Sequence, residues 1–95
     1  MGWREIVSAE LGIVIITAED CAHCIELEAL LNEQPLDAPH VWIDKSEGDE
    51  LFARFPLFAA SIDVLPCAGI FSHGDGKIVV RAATPERIKE ALASL

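Results

Sequence analysis

The chain has 95 residues, 52% of them hydrophobic, and carries 16 acidic against 7 basic side chains for a formal net charge of −9. That length holds one domain, residues 1–95, and the aliphatic content is enough for a packed core rather than disorder. The excess of carboxylates repels phosphate groups, so neither nucleic acid nor an anionic membrane surface is an expected partner.

In chain order, Trp3, Ile6 or Val7, and Leu11 recur at helical spacing, which predicts a short amphipathic helix over 3–11. The apolar run Leu11 to Ile16 follows. It is far short of the ~20 residues a membrane span needs. Glu5 and Glu10 before it and Glu19 and Asp20 after it do not fit a secretory leader, so a cytoplasmic protein is expected. Ile13 to Thr17 is nearly all β-branched and predicts a strand covered on both faces. A second helix begins near Cys21 with Asp20 as its cap. Cys24, Leu27, Leu30 and Leu31 form its apolar face, and Gln34-Pro35 ends it. His40 to Asp44 is the second strand, and strand, helix and strand in about 30 residues make a βαβ unit with parallel strands.

Residues 47 to 62 form a helical segment interrupted at Pro56. Val64-Leu65-Pro66-Cys67 then leads into a strand at Ala68-Gly69-Ile70-Phe71. Gly74-Asp75-Gly76 predicts a tight turn, with His73 solvated beside it, and Lys77 to Arg81 returns as the antiparallel partner. Thr84-Pro85-Glu86 has a cap, a proline at the first helical position and an acid in the first turn. Ile88, Leu92 and Leu95 supply that last helix with its buried stripe. The fold class is therefore α/β: a βαβ unit followed by a ββα unit, giving a four-stranded mixed sheet flanked by helices. Trp3 and Trp42 are read as core residues.

Cys21-Ala22-His23-Cys24 carries the chemistry. Residues three apart on a helix have Cβ atoms roughly 5–6 Å apart, and a disulfide needs Cα atoms about 4.4–6.8 Å apart, so this pair can close and open with little backbone movement. Cys21 lies at a helix start, where free N–H groups and the helix dipole favour a thiolate. Cys24 lies a turn deeper, where burial disfavours one. Cys21 is thus the attacking sulfur and Cys24 the resolving one. An imidazole at His23 would stabilise the reduced form and make the disulfide a stronger oxidant. Two other readings stay open, a half zinc site and two structural cysteines. Zinc needs four ligands, and the remaining candidates are Cys67, His23, His40 and His73. C-x-x-C beside a βαβ pattern is a redox context, and neither metal nor cofactor is expected.

With these motifs in place the sequence resembles the thioredoxin superfamily over nearly its whole length. A core strand leads into C-x-x-C at a helix start, Val41-Trp42-Ile43-Asp44 follows, and Val64-Leu65-Pro66 enters the hairpin. The resemblance implies a thioredoxin-like fold and a thiol–disulfide oxidoreductase. It also implies that Pro66 is cis beside the dithiol and that Leu65 offers backbone groups to the substrate. C-x-H-C is similar to the protein disulfide isomerase motif, with Ala22 where that motif has glycine. The implied partners are disulfide-containing proteins and a thiol reductant or reductase.

Four positions depart from the family pattern. Asp20 replaces a tryptophan and puts negative charge beside Cys21. Ile15 replaces a buried aspartate that takes a proton from the deeper cysteine, which leaves Glu19, His40 or water for that task. Arg81 replaces a docking-surface glycine, and Cys67 replaces a threonine. If Cys67 lies within reach of Cys21 it modulates the dithiol; otherwise it is a small buried hydrophobe. Two further functions remain open: a non-catalytic protein-binding module, and a metal-binding protein using Cys21, Cys24 and Cys67.

Overall fold

The segment GIVIIT forms β1 (Gly12–Thr17), and its first five residues are buried. β-Branched side chains on both faces leave the strand no solvent side, so it takes a central place in the sheet. In the computed structural model, which describes residues 2–95, the strand order is β2-β1-β3-β4. β2 (His40–Asp44) runs parallel to β1, with Ile13 opposite His40 and Thr17 opposite Asp44. β3 (Cys67–Ser72) is antiparallel to β1, with Ile16 opposite Cys67, and β4 (Asp75–Val80) returns antiparallel along β3. This is the mixed four-stranded sheet that the element order predicts.

Each central strand feeds two cores, because successive side chains point to opposite faces. On one face Ile13, Ile15, Ala68 and Ile70 meet Leu27 and Leu31 of α2 (Ala22–Glu33) and Ile88 of α5 (Pro85–Ala93). On the other face Val14, Ile16, Cys67 and Phe71 meet three short helices: α1 (Trp3–Ser8), α3 (Asp49–Arg54) and α4 (Pro56–Ala59). Phe71 is 2% exposed and packs edge-on against Phe55 and Phe58, with ring centroids 4.8 and 5.6 Å away. Gly69 makes the room: a Cβ there would lie 2.7 Å from the Phe71 ring and 2.9 Å from the Phe58 ring. Trp3 and Trp42 are half-buried against the two cores.

Three expectations from the sequence are corrected. α1 ends at Ser8, and Leu11 packs against the opposite core from Ile6 and Val7. The helix stops where the β3–β4 turn meets it: the N–H groups of His73 and Gly74 donate to the carbonyls of Ala9 and Val7 at 2.8 and 2.9 Å, satisfying acceptors that a helix end leaves open. The hairpin turn itself is His73-Gly74, with φ of +50° and +85°, rather than 74–76. Two consecutive positive φ values mark the two-residue turn whose twist suits a hairpin. Gly76 instead sits in β4 opposite Phe71, next to an irregularity in the ladder. The apolar stripe of α5 stops short of Leu95, which is 58% exposed.

The start of α5 is the one that the sequence signals. The Thr84 Oγ1 accepts the Arg87 N–H at 3.2 Å, and Pro85 opens α5. Asp44 closes β2, and its Oδ1 accepts from the N–H and hydroxyl of Ser46 at 2.9 and 2.6 Å. Those two bonds hold its carboxyl below the usual range. Among the described residues no helix is long and apolar enough to cross a membrane.

Candidate active site

The chain leaves β1 at Thr17 and turns through Asp20, whose φ is +56°. Aspartate tolerates this left-handed conformation better than most residues. The turn delivers Cys21, not Asp20, as the cap of α2. The Cys21 Sγ accepts the N–H of Cys24 at 3.2 Å, so sulfur does the work the sequence reading gave to a carboxylate. Cys21 and Cys24 are joined as a disulfide with Cα atoms 5.2 Å apart, inside the normal range. Cys21 is half-buried and Cys24 is 5% exposed. An outer sulfur at the helix's leading end and an inner sulfur one turn behind it is the arrangement that the spacing predicts. When the bond is reduced, the same N–H would favour a thiolate on Cys21.

Ala22 and His23 lie between them and are exposed. The His23 imidazole does not reach either sulfur by a hydrogen bond. Its Nδ1 faces the Glu26 carboxylate at 4.0 Å, one helical turn on.

A groove of about 320 Å³ opens beside His23, which lies between the two cysteines in sequence, although neither cysteine lines it. His23 and Glu26 form one wall; Val64, Leu65 and Pro66 form the second; Ala82 and Pro85 belong to the third. The Leu65–Pro66 bond is cis, and the Pro66 carbonyl accepts the Ala83 N–H at 2.8 Å, tying the second wall to the third. Leu65 makes no backbone hydrogen bond among the described residues, so both its N–H and its C=O remain available. Arg81 reaches across the same two loops and pairs with Asp63 at 3.4 Å. That ion pair was not foreseeable, because no local pattern links residues 18 apart in irregular chain.

Two candidates stand apart from the dithiol. His40 opens β2 opposite Ile13, whereas Cys21 follows the far end of β1. Four residues of strand separate the two ends, roughly 13 Å at 3.3 Å per residue. His40 packs edge-on to Trp42 instead, at 6.2 Å. Cys67 adjoins Pro66 in sequence, but its side chain enters the α1/α3/α4 core, across the sheet from α2. The described residues hold no group of three His, Cys, Asp or Glu side chains suited to a metal ion. Ile15 is fully buried in the α2/α5 core, and the described residues include no buried charged side chain. A proton leaving Cys24 therefore has no buried carboxylate to receive it.

Burial pushes the Cys67 thiol up from 9.0 to about 11; Arg81 opposes the shift and Asp63 adds to it. In the unfolded chain this proton leaves near pH 9, in the folded chain only near pH 11. Its contribution to stability is thus complete below pH 9 and is lost as pH rises toward 11. Relative to a Cys67→Ala variant, the reduced wild-type protein should lose up to roughly 2–3 kcal/mol over that window, at 1.36 kcal/mol per pH unit. Urea titrations of both proteins at pH 8 and 10.5 measure it, and parallel losses in the two would contradict the assignment.

No family model matches the sequence, and no curated protein matches it. Solved structures of thioredoxins do. The chain is similar to thioredoxin from Trypanosoma brucei brucei at 20% identity and a TM-score of 0.76, over 97% of this chain and 80% of that one. It is similar to oxidised thioredoxin from Plasmodium falciparum at 19% identity and a TM-score of 0.73, over 96% and 86%. For thioredoxin from Schistosoma mansoni the values are 19% and 0.75, over 98% and 83%. The chain has the thioredoxin fold, with its cysteine pair at the start of α2.

Proposed function

We propose that the protein is a cytoplasmic thiol–disulfide oxidoreductase acting on disulfide-containing proteins and recycled by a thiol reductant or reductase. The Cys21 thiolate attacks one sulfur of a substrate disulfide, forming a mixed disulfide and releasing the other substrate sulfur as a thiolate. Cys24 gives up its proton to solvent and attacks the Cys21 sulfur. The second substrate thiolate leaves, and the Cys21–Cys24 disulfide remains. Two electrons pass from the dithiol to the substrate, and each released thiolate takes a proton from water. The reductant reverses the change in the protein. Leu65, with its free N–H and C=O, and Pro66 seat the substrate chain beside Ala22.

The observation that carries this reading is the Cys24 N–H directed at the Cys21 Sγ at a helix N-terminus. Such a sulfur is electrostatically prepared for negative charge, while its partner is not. Its test is Cys24→Ser. The reduced variant, mixed with an excess of a protein disulfide, should accumulate a covalent adduct on Cys21, visible by mass and released by dithiothreitol. Absence of any adduct across several disulfides would remove the reading.

One observation favours the binding-module alternative, namely the lack of a buried acid beside Cys24. Alkylation rates of Cys21 across pH separate the two. A midpoint below 8.5, the ordinary cysteine value, supports exchange, and a midpoint at or above it supports a vestigial dithiol.

A further inference from the structure

The carboxylates around the disulfide outnumber the free bases: Glu19, Asp20 and Glu26 face one unpaired guanidinium, Arg87, which donates to the Ala82 carbonyl on the groove's third wall at 3.5 Å. Glu19 and Asp20 precede Cys21 and are exposed, with no partner among the described side chains. Glu26 lines the groove one turn beyond His23, whose imidazole it faces at 4.0 Å. Asp63 precedes the second wall in sequence and is already paired with Arg81. The groove between these charges is aliphatic: Val64 is 42% exposed at its rim, with Leu65 and Pro66 beside it. An occupant that suits both features brings an apolar side chain to the groove and a positive charge to its α2 wall.

Resting on the proposed exchange reaction, we infer that the preferred substrates are polypeptides whose reacting cysteine is flanked by an aliphatic residue and by a lysine or arginine that pairs with Glu26. The reacting bonds are those of the exchange itself; the charge pairing changes only how often and how well the substrate docks. Clefts of one sign concentrate ligands of the other and raise association rates, an effect that salt removes. A basic substrate also offsets the negative charge beside Cys21 that opposes its thiolate. Acidic disulfides meet the opposite field.

Three disulfide-linked peptides test this, identical in cysteine and neighbouring valine and differing only in Lys, Gln or Glu at the flanking position. Stopped-flow rates with the reduced protein, each divided by the rate of the same peptide with dithiothreitol, remove differences in intrinsic reactivity. At low salt the Lys peptide should react roughly tenfold faster than the Glu peptide, at the lower end of electrostatic steering. The ratio should fall toward one in 1 M salt, where the screening length is about 3 Å. Glu26→Lys should reduce or reverse the preference, read as the ratio of the Lys-peptide to the Glu-peptide rate within each protein. Equal normalised rates for Lys and Glu peptides, with the Gln peptide still exchanged, would overturn the selectivity and leave the exchange reaction standing. A preference unchanged in Glu26→Lys would overturn the role of Glu26. No reaction with any peptide would instead remove the exchange reading, and the selectivity with it.

Discussion

Phe71→Ala is expected to destabilise the protein by about 3–5 kcal/mol, the usual range for emptying a buried phenylalanine site. The ring is 2% exposed and is the one that both Phe55 and Phe58 meet edge-on. Those partners cannot collapse into the space easily, since Phe58 is itself held between the Phe71 ring and the backbone at Gly69. A domain of this size has about 5–15 kcal/mol in all, so the loss is a large share of it. With urea slopes of about 1–3 kcal/mol per molar, the midpoint should fall by at least ~1 M. Phe52→Ala gives the comparison: that ring is only half-buried, 6.4 Å from Phe58, and its loss should cost less. Because Phe71 lies across the sheet from α2, the folded fraction should keep the reduction potential of the wild type. A midpoint change under ~0.5 M, set against that urea slope, would mean that the aromatic cluster does not hold the α4 face together.

The same cluster shows how far the sequence can be read. The β-branched run in β1, the C-x-x-C at a helix start and the Thr84-Pro85 entry to α5 are local signals, and each reappears where the pattern puts it. Cap identity was less legible: an aspartate next to a cysteine looks like the cap, but the chain turns at Asp20 and leaves the Cys21 sulfur facing the Cys24 N–H. The fate of Cys67 depends on register. Only the pairing of Ile16 with Cys67 fixes which face it takes, and a shift of one residue would have turned it toward α2. His40 failed for a related reason. It is near the dithiol in the motif order, but a parallel strand restarts at the opposite end of the sheet. The Asp63–Arg81 pair and the groove against α2 are tertiary features and left no mark in local pattern.

The largest functional effect is expected from Cys21→Ser, which should lower exchange by about 1,000-fold or more, a change of at least roughly 4 kcal/mol in the barrier. A serine hydroxyl at the same place still accepts the Cys24 N–H, so the helix start and the fold should survive; what goes is the nucleophile. Other features near the sulfur act on a smaller scale. The charge on Asp20, exposed and adjacent to Cys21 in sequence, is worth on the order of 1 kcal/mol, a factor of ten at most. Cys24→Ser should differ in kind from Cys21→Ser. Its first attack proceeds at close to the wild-type rate, and turnover then stops at the mixed disulfide. Single-turnover thiol release therefore distinguishes the two variants, whereas steady-state turnover finds both inactive. If Cys21→Ser retained single-turnover release while Cys24→Ser lost it, the inner sulfur would be the attacking one. The helix N-terminus would then be positioning a leaving group rather than activating a nucleophile.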